Sequence, residues 1–291
     1  MKCDLHVHTI HSGMCTIPLI ERVCRECYSD PADVYGTLKQ RGMDLVTVTD
    51  HDSIDAAESL RKYPDFFLSE EVSCILPSGT NLHMGVYDIQ ERDHVELQRR
   101  ATDFPSLLAY LRERNLFFTV NHVYSSLTGR RAAADFDLFG RVFPGVEVLN
   151  GQMLAMSNAA ARDFASQWRR APIAGSDAHT IAPLASAYTS IPNCASKQDF
   201  LDQLRNGHGI ACGESGNYGK LATTVFEIAS SMAAEKPWIG LLLSPLLAAI
   251  PVAVLLNYVR ELVFYQRWSR TSRRNTSSVP VEVGPASEVS A

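Results

Sequence analysis

Lys2-Cys3-Asp4-Leu5-His6-Val7-His8-Thr9 is the stretch on which the reading of this chain turns. Read as a β-strand, it sends successive side chains to opposite faces. Cys3, Leu5 and Val7 then form an apolar face suited to a core, while Asp4, His6 and His8 share the other. The two imidazoles stand about 7 Å apart along such a strand, and two neutral imidazoles that close suit one divalent cation. A lone His-x-His is equally a strand edge with two surface histidines, so the remainder of the chain decides between the two.

Working outward, the same arrangement recurs. A strand over 44–49 leads into Asp50-His51-Asp52, and one starting at Phe66 ends in Glu70-Glu71-Val72-Ser73. A short strand over 81–87 carries His83, one over 117–121 precedes His122, and one over 145–149 precedes Asn150. The last, over 172–174, ends in Gly175-Ser176-Asp177-Ala178-His179. Helices are predicted between them over about 31–41, 53–62, 91–100, 105–114 and 154–170. Asp30 supplies the N-cap of the first, Pro31 its first position and Gly42 its stop. Seven strands alternating with helices predict parallel βα units. Polar residues gathered at strand C-terminal ends predict a site on that face of a barrel or wound sheet. Of the 9 histidines, seven (6, 8, 11, 51, 83, 122, 179) fall in or beside these positions. His94 is expected on an exposed helix surface and His208 in a turn.

Asp4-Leu5-His6-Val7-His8-Thr9, Thr49-Asp50-His51-Asp52, Glu71-Val72-Ser73, His83, Asn121-His122 and Gly175-Ser176-Asp177-Ala178-His179 follow one another over about residues 2–180. In type and order they resemble the motifs of the polymerase-and-histidinol-phosphatase (PHP) family of metal-dependent phosphoesterases. The resemblance implies an α/β fold, a distorted seven-stranded (β/α) barrel, holding two or three divalent metal ions. It assigns one ion to His6, His8, Glu71 and Asp177. A second falls to Glu71, His83 and His122, with Glu71 bridging, and a third to His51 and His179. Mixed imidazole and carboxylate donors suit zinc, manganese or iron alike. One position departs from the pattern. The family's Asp or His shortly after the first strand, often in Ser-Asp-Gly, is Ser12-Gly13-Met14 here. Either His11 or Cys15 substitutes for it, or the third ion is weak or absent. Asp4 and Asp50 are expected to accept hydrogen bonds from the metal-binding histidines.

The activity so implied is hydrolysis of a phosphate ester, in the first place a small phosphomonoester. The attacking hydroxide would be shared by two ions. Arg130 and Arg131, in the loop after His122, are expected to fork onto the substrate phosphate. Asp52 either serves the leaving group or N-caps the helix after it. Two other readings are a nucleotide or oligonucleotide phosphodiesterase, and a metal-binding sensor or scaffold without catalysis. Gly213 to Lys220 superficially resembles a phosphate loop, but its spacing is one residue too long and Leu221 stands where Ser or Thr is needed.

Composition sets the frame. The chain has 291 residues, 46% of them hydrophobic and 20% charged, with a formal net charge of −5. That acidic balance excludes general affinity for nucleic-acid backbones, so no long nucleic acid is expected as a partner. The 7 cysteines are odd in number and scattered, which suits reduced thiols in the cytoplasm, and no signal peptide is recognised at the start. Cys24 and Cys27 are read as two thiols on a short helix. Residues 1–222 are expected to form the catalytic domain. Residues 223–274 form a hydrophobic segment with a basic flank, and 275–291 a disordered tail. The stretch 240–259 is free of charge, long enough to span hydrocarbon, and edged by Trp238, Tyr258, Tyr265 and Trp268. It predicts membrane attachment through 238–259 at the cytoplasmic face, by a re-entrant hairpin or an interfacial helix, with a buried helix in a soluble protein as the alternative.

Overall fold

The computed structural model describes residues 1–16 and 20–275. The tail expected to be disordered lies outside the described residues, apart from Asn275. Eight strands form two sheets: β1 (Lys2–Cys3), β2 (Ser69–Ile75), β3 (Asn81–Tyr87), β4 (Phe117–Val120), β5 (Gly145–Asn150), β6 (Ala171–Gly175), β7 (Ala187–Ser190) and β8 (Ile210–Gly213). The larger sheet runs β2-β3-β4-β5-β6 and the smaller β1-β7-β8.

The fold is therefore mixed α/β, but it corrects the expected seven-stranded barrel of parallel units. A short turn over 76–80 joins β2 to β3, which forces them antiparallel, and β4 pairs antiparallel with β3 as well. Only β4, β5 and β6 run parallel. Helices Ala133–Val142 and Ala155–Trp168 make the two crossovers that parallel pairing demands. Of the strand expected over 2–9, Lys2–Cys3 forms β1 beside β7 and the rest makes a single parallel bridge, Val7 with Ala178; the stretch 44–49 makes one with Phe66 through Val46. Their ladders are interrupted because side chains take the backbone donors. Thr49 Oγ1 accepts from Val7 N–H, Asp50 from Thr9 N–H, and Asp4 from the N–H groups of His6, Ser176 and Ala185. Strands β7 and β8 had no counterpart in the sequence reading.

Alternation along the strands separates core from site. In β2, Val72 and Cys74 enter the main core, so Glu71 faces the other way. In β5, Val146 and Val148 enter the same core, which leaves Glu147 on the opposite face. Gly175 lets β6 lie against the first segment, because a Cβ there would stand 2.3–2.4 Å from the Cβ and backbone nitrogen of His6.

Beyond β8 the described residues form three helices, Tyr218–Glu235, Pro237–Leu247 and Ile250–Asn275. The first of these runs through the boundary expected at 222. Among the described residues no helix is long and apolar enough to cross a membrane. The uncharged run 240–259 is split between two helices by a turn at 248–249, so it forms no single continuous span, and nothing among the described residues supports the expected membrane attachment through 238–259. Trp268, read as an interfacial residue, is instead buried in the main core, its ring 5.6 Å from that of Phe136. Glu261 is also buried and accepts hydrogen bonds from the N–H and hydroxyl of Ser126. The last helix is anchored to the body at Val254, Glu261 and Trp268, while Val252, Leu255, Leu256, Val259 and Val263 stay exposed on it.

Candidate metal centre

Glu71 lies at the middle of the site. Its register places it opposite Gly85, with His83 two residues along β3 on the same face. His122 follows β4 and Asp177 follows β6, both at the C-terminal ends of parallel strands. Their backbones are left-handed, with φ of 31° and 53°. That conformation is uncommon for non-glycine residues and turns each side chain inward.

The eight residues expected as metal ligands converge. His6 Nε2 lies 3.2 Å and His8 Nε2 3.5 Å from Glu71 Oε2; the same two nitrogens lie 3.5 and 3.3 Å from Asp177 Oδ1. His51 Nδ1 is 3.3 Å and His83 Nδ1 3.8 Å from Glu71 Oε2, and His122 Nε2 is 3.2 Å from Oε1. His179 Nδ1 stands 3.6 Å from Asp177 Oδ1. Overlapping donor triads result: His6/His8/Asp177, His6/Glu71/His122, His51/Glu71/His83 and His8/His51/His179.

The donor set fits divalent ions on two independent grounds. Buried His8 Nε2 and His51 Nδ1 have no hydrogen-bond partner among the described residues, a costly state unless something else satisfies them. The tautomers also suit. Glu147 accepts from His6 Nδ1–H at 2.7 Å, and the hydroxyl of Ser12, itself donating to Asp50, accepts from His8 Nδ1–H at 3.0 Å. The Nε2 lone pairs of both rings are thereby aimed at the cluster. Asn121 donates to Glu71 and Asn150 to Asp177 and Glu147, which fixes the carboxylate orientations. Asp50 thus supports a histidine through Ser12, whereas Asp4 serves the backbone; Glu147 takes the role that was expected of Asp4.

Electrostatics follow from burial and crowding. Burial, with the neighbouring imidazoles of His179, His51 and His6, pushes His8 down to about 3, and His83 falls likewise to about 3. These rings are neutral and free to donate. Burial opposes charge on His51 too, but Glu71, Glu26 and Asp177 outweigh it and raise the ring to about 9. Despite burial, the surrounding imidazoles hold Glu71 and Asp177 well below the ordinary carboxylate range.

Glu26 was missed by the sequence reading. Its carboxylate lies 3.6 Å from both His51 Nε2 and His179 Nε2. Gly13, at φ 84°, turns the chain after the first segment, and the N–H of Glu26 donates to the carbonyl of Gly13. An acid thus arrives beside the position where Ser12-Gly13-Met14 lacks one. A bridge between Met14 and Arg25 and a bond from Cys15 N–H to Cys24 carbonyl hold this loop. No described helix contains Cys24 and Cys27; the Cys27 thiol donates to the carbonyl of His8.

Other expected roles move. Asp52, at φ 51°, accepts from Ser73 N–H and Gln98 Nε2, and so is turned toward β2 and helix Glu91–Arg100. It caps no helix, the next one starting only at Ala57. Arg131 is buried; it donates to the Asn81 carbonyl and lies over the Phe139 ring, which directs its guanidinium into the core. Arg130 is exposed on the same loop. His94 is half-buried and bonded to Glu70 at 2.6 Å, in place of the free surface position expected for it.

Comparison with known proteins adds to this geometry. A family model described as PHP-associated matches residues 155–208, a stretch that includes Asp177 and His179. No curated protein sequence matches the chain. Among solved structures, PsfC from Pseudomonas syringae PB-5123 is similar over 79% of this chain and 98% of its own, with a TM-score of 0.57 and 17% identity. The lesion-specific endonuclease PfuEndoQ from Pyrococcus furiosus is similar over 76% of this chain and 60% of its own, with a TM-score of 0.51 and 15% identity. At these identities the likeness is one of fold.

Proposed function

We propose that this PHP-family chain is a metal-dependent hydrolase of phosphate esters whose substrate is a small phosphomonoester. The observation that carries the reading is the position of Glu71, whose two oxygens face His6, His8, His51 and His83 on one side and His122 on the other. One carboxylate between two imidazole sets is the arrangement that lets two ions share a ligand. By the family resemblance His6, His8, Glu71 and Asp177 would hold one ion and Glu71, His83 and His122 a second, although the donor triads set His83 with His51 and His122 with His6. His51, His179 and Glu26 would hold a third. When bound, such ions, of zinc, manganese or iron, neutralise phosphoryl oxygens and activate water.

The chain supplies the remainder. Glu147, Ser12 and Asp50 fix the histidine tautomers, and Asn121 and Asn150 fix the carboxylates. Orientation is therefore set before substrate arrives, which is where much of a metal site's strength lies. Arg130, exposed on the loop that also bonds Glu261, is the cation assigned to the departing or incoming phosphate. The test is phosphate release by full-length, metal-replete protein from p-nitrophenyl phosphate, sugar phosphates, nucleotides and short oligonucleotides. Release from monoesters that stops on chelation is expected. Turnover of oligonucleotides alone would transfer the assignment to a nuclease. A full metal complement with no turnover of any member would make the chain a scaffold.

A further inference from the structure

A cavity of about 410 Å³ opens onto the metal cluster, a size within the range of small-molecule sites. Glu26, Asp177 and His179 border one end of it. The remaining wall is built largely by the C-terminal helices. Leu221, Val225, Ile228 and Met232 line it from helix Tyr218–Glu235, at intervals of four, three and four residues that put them on one helical face. Leu247 and Ile250, on either side of the turn at 248–249, also line it, and Met153 and Leu154 come from the segment after β5. One polar group stands out: both side-chain atoms of Gln152 are buried and lack a hydrogen-bond partner, and the residue lines this cavity.

We infer that the ester's organic group is apolar, a chain or ring system of about a dozen heavy atoms if each takes the ~30 Å³ of a liquid water. It lies in this cavity while its phosphate lies at the cluster. The inference rests on the phosphate-ester reading above and names its substrate class. Polar groups such as Asn217, Thr224, Asn257 and Tyr258 also border the cavity, but a sugar or nucleoside would still set hydroxyls against the face of Leu221, Val225, Ile228 and Met232, where no partner stands. An alkyl group loses nothing there and leaves water for protein. Gln152 has the donor and acceptor to meet the ester oxygen or one hydroxyl near it. In the reaction, water adds to phosphorus, the bond from phosphorus to the alkyl oxygen breaks, and that oxygen leaves as an alcohol with the proton.

The experiment uses full-length, metal-loaded protein and a series of n-alkyl phosphates from two to twelve carbons, with glycerol phosphate as the polar comparison. Expected is a kcat/KM that rises about fourfold per added methylene and levels off once the cavity is full. Binding of the matching n-alkylphosphonates, measured by calorimetry, should rise with chain length in parallel. Val225→Trp and Ile228→Trp should each move the plateau to shorter chains, with melting temperature and metal content showing that the variants are folded. Activity that is flat or falling with chain length, or that favours glycerol phosphate, overturns the apolar assignment while leaving phosphate-ester hydrolysis standing. If no ester is hydrolysed, the hydrolase reading falls, and the phosphonates decide alone: chain-length-dependent binding keeps the apolar site and chain-length-independent binding removes it.

Discussion

At the scale of single residues, Glu26 and His51 carry the most exposed predictions. Glu26→Gln keeps the shape and removes the charge between His51 and His179. It should lower bound metal by about one ion per chain in elemental analysis; an unchanged stoichiometry would take Glu26 out of the ligand set. His51 is raised to about 9 in the metal-free chain, so below that pH a proton occupies a nitrogen that the ion needs. Metal uptake at neutral pH should therefore release protons, and affinity should climb as pH rises toward 9. Calorimetry in buffers of different ionisation enthalpy checks this. The linkage sign for the metal-free protein is the reverse. Stabilisation from charged His51 is complete below its unfolded value of about 6.5 and is lost as pH rises through about 9. His6, His8 and Glu71 were legible because a two-residue period marks which side chains share a face. Glu26 was not, since it arrives through an irregular loop held by scattered bonds such as Glu26 N–H to the Gly13 carbonyl and Lys236 to the Val23 carbonyl, and no periodicity records that.

At the scale of elements, the sheet was partly legible. Strands β2 to β6 announce themselves as short apolar runs, but 4–9 and 44–49 carry the same signal and stay irregular, because Asp4, Thr49 and Asp50 divert backbone donors. Gly175 is where β6 meets the first segment, and its role is spatial. Gly175→Ala should displace His6 and reduce metal content along with melting temperature, whereas the same change at exposed-loop Gly79, where a Cβ meets open space, costs only the strain of its positive φ. How the C-terminal helices dock was not legible, because an uncharged run records neither the turn at 248–249 that divides it nor which of its residues stay exposed, as Leu241, Leu242, Leu255 and Leu256 do. What docks the last of them is Trp268 against Phe136 and Glu261 against Ser126, contacts between distant parts of the chain. Trp268→Ala should destabilise by about 3–5 kcal/mol, visible in denaturant unfolding; a loss below 1 kcal/mol would show that the helix is only loosely applied.

At the scale of the whole molecule, ions and fold are linked. Free metal at a hundred times its dissociation constant adds about 2.7 kcal/mol to stability. Removing it with a chelator should lower the melting temperature by roughly 5–10 °C at this size, and restoring it should recover the difference. Truncation after residue 222 would strip the partners of Ser126 and Phe136, so that fragment should aggregate or melt well below the full chain, in contrast to an independent catalytic domain. The bond between Ser126 and Glu261 joins positions 135 apart, and this has a consequence for biogenesis. Synthesis on the ribosome proceeds from the N-terminus, so the last of the expected ligands, His179, emerges before any helix that lines the cavity. The nascent protein therefore passes through an interval in which all eight expected ligands have been made while the helices that line the cavity have not.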